Sequence, residues 1–490
     1  MQTLFNFVKS SFIKRSLRQQ QKFALTDLTQ WGLSINPQGH ISVNNTDVTD
    51  LISHHGSPLL VVNRNQLIKD ANSIHNATKQ TGADAKVVYS YKTNCIPGIL
   101  NEIHGTGIGA EVISPYELWL AEQLNVPGEK IVFNGVNKTD ESITRAIERD
   151  ILAINIDSLS EIDRIVSAAR RLNRKARVGV RLGFIPKAQF GLEIESGEAM
   201  EACRRIKQHS KWLELNMIHF CAVSNAKNAS AHCRFAEKSL KFIHALKAHT
   251  GMTIRYLDIG GGIGVPTSHS MTNLEYGLYR LFGSLPKPPD PNAFEDIYTF
   301  TGRIGKTVHD TSARLGIETP SLIVEPGRFV TSRCEFLLST VLSIKEKTNG
   351  TKFAITDAGR HSLTFPCEFE HHTIFTADQG RQRKKEPYNL MGRICTAGDF
   401  VMKNVLLPHL HEGDVLVTMD AGAYFSSFST NFAFPRPAII MVSNDGTIQR
   451  LRHAETFQHL TAMDTTLHEQ HPPLQAQLFQ TALSSSSPSS

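Results

Sequence analysis

No two of the seven cysteines (Cys95, Cys203, Cys221, Cys233, Cys334, Cys367 and Cys395) are spaced as CxxC, and their number is odd. That argues against a cysteine-built metal centre and points to reduced thiols in a cytoplasmic compartment. No apolar run is long enough to span a bilayer, so no membrane association is expected. No dense Lys/Arg run is interleaved with aromatics. The net charge of +6 is diffuse, and nucleic-acid binding is not expected. The first 23 residues contain no acid. They are basic, with Leu4, Val8 and Phe12 at helical spacing, and read as a surface helix or as an amphipathic presequence.

What is present fits a folded chain with more than one domain. Its 490 residues are 40% hydrophobic and 20% charged. Eight short apolar runs alternate with helical patterns: 86–91, 108–113, 130–135, 152–156, 177–182, 214–220, 254–260 and 321–326. Several are rich in Val and Ile on both faces, as buried parallel strands require. Between two of them Ala236, Leu240, Ile243 and Leu246 recur at helical spacing. Eight such units in about 250 residues predict an α/β fold of the TIM-type (β/α)8 barrel, with an open doubly wound sheet as the alternative. Beyond residue 330 the strand-like runs EFLLSTVLSI, KFAITDAG, DVLVTMDAG and AIIMVSN predict a C-terminal all-β domain. The expected division is a basic segment (1–25), strands joining the β domain (26–60, including HISVNN), the barrel (61–330), the β domain (331–455) and a low-complexity tail (456–490). The Pro-rich stretch 267–300 reads as a long surface loop.

Lys92 follows the first run, at the mouth where barrel enzymes place their chemistry. Desolvation there could free the amine to attack an aldehyde; a strand-end lysine that merely reaches for water is the alternative. LDIGGGIG (257–264) and EPGR (325–328) follow the seventh and eighth runs, where barrels commonly bind phosphate. Consecutive glycines let backbone N–H groups close on an anion. Glu325 is placed to hold a protonated ring nitrogen; an ordinary strand-end ion pair is the alternative.

These segments, in this order, resemble the pyridoxal-phosphate-dependent decarboxylases of diaminopimelate, ornithine and arginine. The likeness rests on YSYKTN, FNGVNKT (133–139), NIDSLSEID (155–163), QFGL (189–192), LDIGGGIG, EPGR, ICTAGDF (394–400) and AGAYFSSFSTNFAFPRPA (421–438). The resemblance implies that Lys92 carries pyridoxal 5′-phosphate as a Schiff base and that Glu325 pairs with its ring nitrogen. It implies that Ser224, Gly261, Gly262, Gly327, Arg328 and Tyr424 hold the phosphate, that Arg181 lies near the cofactor, and that Cys395 returns a proton. It also implies a homodimer with shared active sites, with the Cys395 loop crossing to the partner.

The chain departs from that pattern in three places. Where the family sets a histidine over the ring, HFCAVSN (219–225) offers Cys221; a two-residue shift would restore His219 at the expense of Ser224. DAGRHSLTFP (357–366) places Phe365 where an arginine would grip a distal carboxylate. CTAGD places Thr396 where an acid would take a distal ammonium. Arg360 and Arg328 are left as substrate-binding candidates beside Thr396. The expected activity is decarboxylation of an amino acid or amino-acid conjugate with altered specificity. An amino-acid racemase on the same barrel and a catalytically silent, decarboxylase-like binding protein are the rivals.

Overall fold

The computed structural model describes every residue except 1, 25, 83, 185–187, 364–368, 381–383 and 465–490. Eight parallel strands close into a barrel: Lys86–Ser90, Gly109–Val112, Ile131–Phe133, Ala153–Ile156, Ala176–Arg181, Leu213–His219, Tyr256–Asp258 and Ser321–Val324. All eight coincide with the apolar runs of the sequence. The last strand pairs with the first, so the sheet is closed and not doubly wound. Helices lie outside it. Ser230–Thr250 buries Ala236, Leu240, Ile243 and Leu246 and ends at Gly251, whose φ of 72° makes a left-handed cap.

The period of two along each strand orders the barrel interior into layers. Val88, Val132, Ala153, Met217, Tyr256 and Ile323 form a buried apolar plug. Two residues further along the same strands stand Ser90, Asn134, Asn155, His219, Asp258 and Glu325, all buried. An apolar layer is thus capped by a polar one, and two residues beyond it Lys92, Cys221 and Gly327 line the cavity at the barrel mouth.

Beyond the barrel a nine-stranded sheet contains Glu335–Glu346, Lys352–Thr356, Val415–Thr418 and Ala438–Val442, each overlapping a run read as a strand. A strand from before the barrel, Leu59–Asn63, lies between Glu335–Glu346 and Ala438–Val442. The division expected at residue 60 therefore cuts through a strand. HISVNN instead supplies Ile41–Val43, the middle of a separate three-stranded sheet. Trp31, Leu33, Ile41 and Val43 pack with Phe336, Val417 and Ile440 in a core of their own.

The 267–300 stretch is more ordered than a loop. Asn273–Phe282 is a helix, started by a capping box between Thr272 and Glu275 and ended by Gly283. Its proline content masked that signal. Helix Gln2–Phe23 packs against it, with Phe12 stacked on Phe282 at 5.5 Å. No helix among the described residues is long and apolar enough to cross a membrane.

Candidate active site

The polar layer is wired through hydrogen bonds. The Lys92 ammonium donates to Glu111 Oε2 at 3.1 Å. Asn134 Nδ2 donates to Glu111 Oε1 at 2.9 Å and to Glu325 Oε1 at 2.6 Å. Asn155 Nδ2 in turn donates to Asn134 Oδ1 at 2.7 Å, which fixes that amide's orientation. On the far side of Glu325, His219 Nε2 lies 3.6 Å from Oε2. One ligand atom each of His219, Asp258 and Glu325 lies within 4.8 Å of the others.

Burial pushes the Glu325 carboxyl up, but His219, Lys92 and a hydrogen bond from Asp258 outweigh it and hold the group below the usual carboxylate range. Asp258 is driven the opposite way, by burial and then by Glu325 itself. Two carboxyls this close cannot both ionise cheaply, so Asp258 keeps a proton while Glu325 carries the charge. A buried anion whose partners leave it facing the barrel mouth is suited to hold a cationic N–H.

Lys92 corrects one expectation. Burial pulls its pKa down, yet Glu111 and then Glu325 outweigh burial and hold it above the usual lysine value. Desolvation alone does not free this amine; the carboxylates keep its proton, and an incoming reactant must displace that pairing.

Above the polar layer a cavity of about 260 Å³ is lined by ten of the expected residues: Lys92, Arg181, Cys221, Ser224, Gly261, Gly262, Glu325, Gly327, Arg328 and Tyr424. Gly262 has a φ of 80°, and a Cβ there would collide with the Val223 carbonyl. A Cβ on Gly327 would strike Thr93 Oγ1. Glycine is therefore required for these turns to close at the mouth, with backbone able to approach an anion. Arg181 pairs with Asp157 at 3.4 Å and lies over the Phe190 ring at 4.6 Å, which brings in the QFGL segment. Arg328 forms a buried ion pair with Glu370, its guanidinium 4.7 Å from the Tyr424 ring centre.

Cys221 sits two residues after His219 on the same inward face. His219 therefore lies in the polar layer against Glu325, while Cys221 and Ser224 line the cavity. The ungapped reading of HFCAVSN matches this arrangement.

The other three expected residues do not line the cavity. Cys395 and Thr396 are exposed on the loop between Ile394 and Asp399. Arg360 donates to the Gly398 carbonyl of that loop at 3.2 Å, and its backbone N–H donates to Asp399 at 2.7 Å. Thr396 Oγ1 and Arg360 Nη1 stand 3.9 and 4.0 Å from where a Cβ on Gly398 would be, so the fold brings these two together. Phe365 lies outside the described residues.

Sequence reading passed over Glu111, Asn134, Asn155, Asp258 and Glu370 as site residues. The first four left a signal: each is a single polar residue in an otherwise apolar barrel strand or at its end (GAEV, IVFN, AINI, YLD). Glu370 left none, because its partner is remote in sequence.

The cavity's chemistry suits pyridoxal phosphate: an amine, an ionised acid on the floor, and a mouth of glycine turns with a serine, a tyrosine and an arginine. Comparison with known proteins agrees. The model of the pyridoxal-dependent decarboxylase pyridoxal-binding domain matches residues 66–332. Diaminopimelate decarboxylase of Methanocaldococcus jannaschii is 30% identical over 448 residues, covering 87% of this chain and 95% of its own. The enzyme of the same name from Aquifex aeolicus is 27% identical over 438 residues, with 86% and 95% covered. The crystal structure of the Methanocaldococcus jannaschii enzyme superposes with a TM-score of 0.78 at 29% identity, over 89% of this chain and 98% of that one. With the barrel, the cavity and more than half of the chain matched, the chain belongs to the pyridoxal-phosphate-dependent decarboxylases, carboxy-lyases of amino acids.

Proposed function

We propose that the substrate is an amino acid, or an amino-acid conjugate, whose distal end differs from that of meso-diaminopimelate. The observation that carries this reading is the Cys395 loop, where a hydroxyl (Thr396) and a guanidinium (Arg360) flank Gly398, and where the acid among the described loop residues, Asp399, is buried and taken up by the Arg360 and Ile394 backbone N–H groups. A buried ammonium left unpaired costs several kcal/mol, enough to reject diaminopimelate by orders of magnitude.

Pyridoxal phosphate, when bound, supplies the electron sink into which the bond to the departing carboxylate delivers its electrons. The protein's residues do the rest. Gly261, Gly262, Gly327, Ser224 and Tyr424 hold the phosphate by backbone and hydroxyl donors. Glu325, held ionised, would accept a charge-assisted hydrogen bond from the protonated ring nitrogen. Lys92 anchors the cofactor, and Glu111 takes up the interaction with its proton. Cys221, which lines the cavity, would offer the cofactor a polarizable thiol in place of an aromatic face. After carbon dioxide leaves, Lys92 or Cys395 returns a proton to the substrate carbon.

Cys395 is exposed in one copy of the chain and outside that copy's cavity. The reading therefore includes a homodimer in which each subunit's Ile394–Asp399 loop, with Arg360 attached, closes the other's cavity. Carbon dioxide release from a panel of amino acids and acylated conjugates tests the proposal. Turnover of a substrate without a distal ammonium, with meso-diaminopimelate at least about 100-fold poorer in kcat/KM, is expected. Efficient release from meso-diaminopimelate would overturn it.

A further inference from the structure

Arg393 opens the Cys395 loop, and its guanidinium lies over the Phe434 ring, 4.0 Å from the ring centre. Stacking meets the flat face of a guanidinium and leaves the donors on its edge unused. Among the described residues those donors find no acceptor: Arg393 makes no side-chain hydrogen bond and no ion pair, and its Nε is buried without a partner. Burial pulls its pKa down, and the charge of Asp357 offsets that only in part. The Asp357 carboxyl is itself taken up by Ser57 and by the Thr340 N–H at 2.9 Å. The loop's own acid, Asp399, accepts from the Arg360 and Ile394 backbone N–H groups, both at 2.7 Å.

His361, 1% exposed, packs on the same phenylalanine with ring centres 5.8 Å apart, and neither of its ring nitrogens has a partner. Burial and then Arg393 hold its pKa down at about 4, so at neutral pH the ring is uncharged and keeps one N–H to donate. It adds a donor without repelling the guanidinium. A half-buried guanidinium with idle donors, beside an idle imidazole, is a costly arrangement until an anion completes it. The stretch that supplies Phe434 also exposes Phe428 (44%) and Phe432 (62%), large apolar side chains of the kind a second subunit covers.

We propose that Arg393, backed by Phe434 and His361, is a specificity-determining residue: it receives a carboxylate at the distal end of the substrate held in the partner subunit's cavity. This deepens the proposed function and rests on its homodimer and on its substrate without a distal ammonium. A guanidinium offers a carboxylate two parallel N–H donors, so it reads the length of the substrate as well as its charge. The substrate class is then an amino acid whose side chain, or whose acyl group, ends in a carboxylate and reaches from Lys92 to the loop.

The test uses the pyridoxal-phosphate-loaded protein in three forms: wild type, R393Q, and R393K, which keeps the charge and loses the fork. Each is titrated with isosteric pairs: L-aspartate and L-asparagine, L-glutamate and L-glutamine, and L-2-aminoadipate and L-2-aminopimelate with their distal amides. Perturbation of the cofactor's visible band gives the ratio of dissociation constants within each pair. Wild type is expected to favour the carboxylate by about tenfold in the pair whose length reaches Arg393. R393Q is expected to bring that ratio to within about twofold of unity with amide binding unchanged, and R393K to lower it about threefold. Heterodimers of R393Q and K92A, purified through two different tags, locate the residue. The band of lysine-bound cofactor then reports only the site whose Lys92 comes from the R393Q subunit and whose loop comes from the K92A subunit. That site is expected to regain the wild-type ratio.

A wild-type ratio within about twofold of unity for every pair overturns the proposal. So does a preference that survives R393Q undiminished, whether or not the dimer is weakened, because Arg393 would then serve the subunit contact and not the substrate. If R393Q does not fold, R393K decides in the same way. A heterodimer that keeps the R393Q ratio overturns the proposal by confining the residue's effect to its own subunit. Efficient carbon dioxide release from meso-diaminopimelate by wild type would sink the substrate reading, and a monomeric wild type the homodimer; both results are read without any of these ratios.

Discussion

The floor of the cavity and the Cys395 loop are built on opposite plans. The floor stands on barrel strands whose inward positions alternate in fixed layers, so Glu111, Asn134, Asp258 and Glu325 brace one another across the barrel interior. The loop is a short connection with Cys395 and Thr396 exposed, steadied from one side by Arg360 and Asp399. A rigid floor suits chemistry common to a whole family, because a ring nitrogen and an amine must meet the same geometry whatever the substrate. A loop on the rim can change one residue without disturbing the barrel. This chain keeps the family's lysine and glutamate at Lys92 and Glu325 and departs from its pattern at Cys221 in the cavity and at Thr396 on the loop.

Substitutions at the two places should therefore fail differently. Glu325→Gln removes the proposed ionised partner of the ring nitrogen and is expected to lower kcat by about 10³-fold with the fold intact; steady-state carbon dioxide release with a circular dichroism control checks this. Cys395→Ala is expected to slow turnover by about 10²-fold while cofactor stays bound. Unchanged activity would remove the loop from the chemistry. Thr396→Glu should improve binding of a substrate with a distal ammonium by about tenfold relative to a neutral one, without touching cofactor affinity. Indifference to that change would mean the loop does not read the substrate's end.

The smallest effect concerns pH. Glu111 holds Lys92 protonated, so Glu111→Gln lowers the lysine's pKa toward its ordinary value. A raised pKa favours the ammonium below it, so the variant should load cofactor at a lower pH than wild type. A spectrophotometric pH titration of loading checks the sign; a shift upward would contradict the network.

The barrel was legible because eight buried parallel strands leave eight apolar runs, and all eight stand where they were read. Lys92, Glu325 and the glycine turns were legible because chemistry at strand ends breaks an apolar pattern with a polar residue or glycine. The same rule exposes Glu111, Asn134 and Asp258 once the period of two is followed up each strand from Val132, Tyr256 and their neighbours. Helix Asn273–Phe282 was hidden by the prolines after it, although Thr272 and Glu275 already spell its start. The pairing of Glu370 with Arg328 had no local signature, since it joins a strand-end loop to a segment outside the barrel. The strand Leu59–Asn63 was displaced in the reading because it belongs to a sheet assembled mostly from residues nearly three hundred positions later.

The proposed anchor of the cofactor is Lys92, on the braced floor. Borohydride reduction of the pyridoxal-phosphate-loaded protein, followed by peptide mapping, tests it directly. The expected result is loss of the visible absorbance band and a single pyridoxyl tag on Lys92, absent in Lys92→Ala. A tag on another lysine, or a protein that takes up no pyridoxal phosphate, would contradict it.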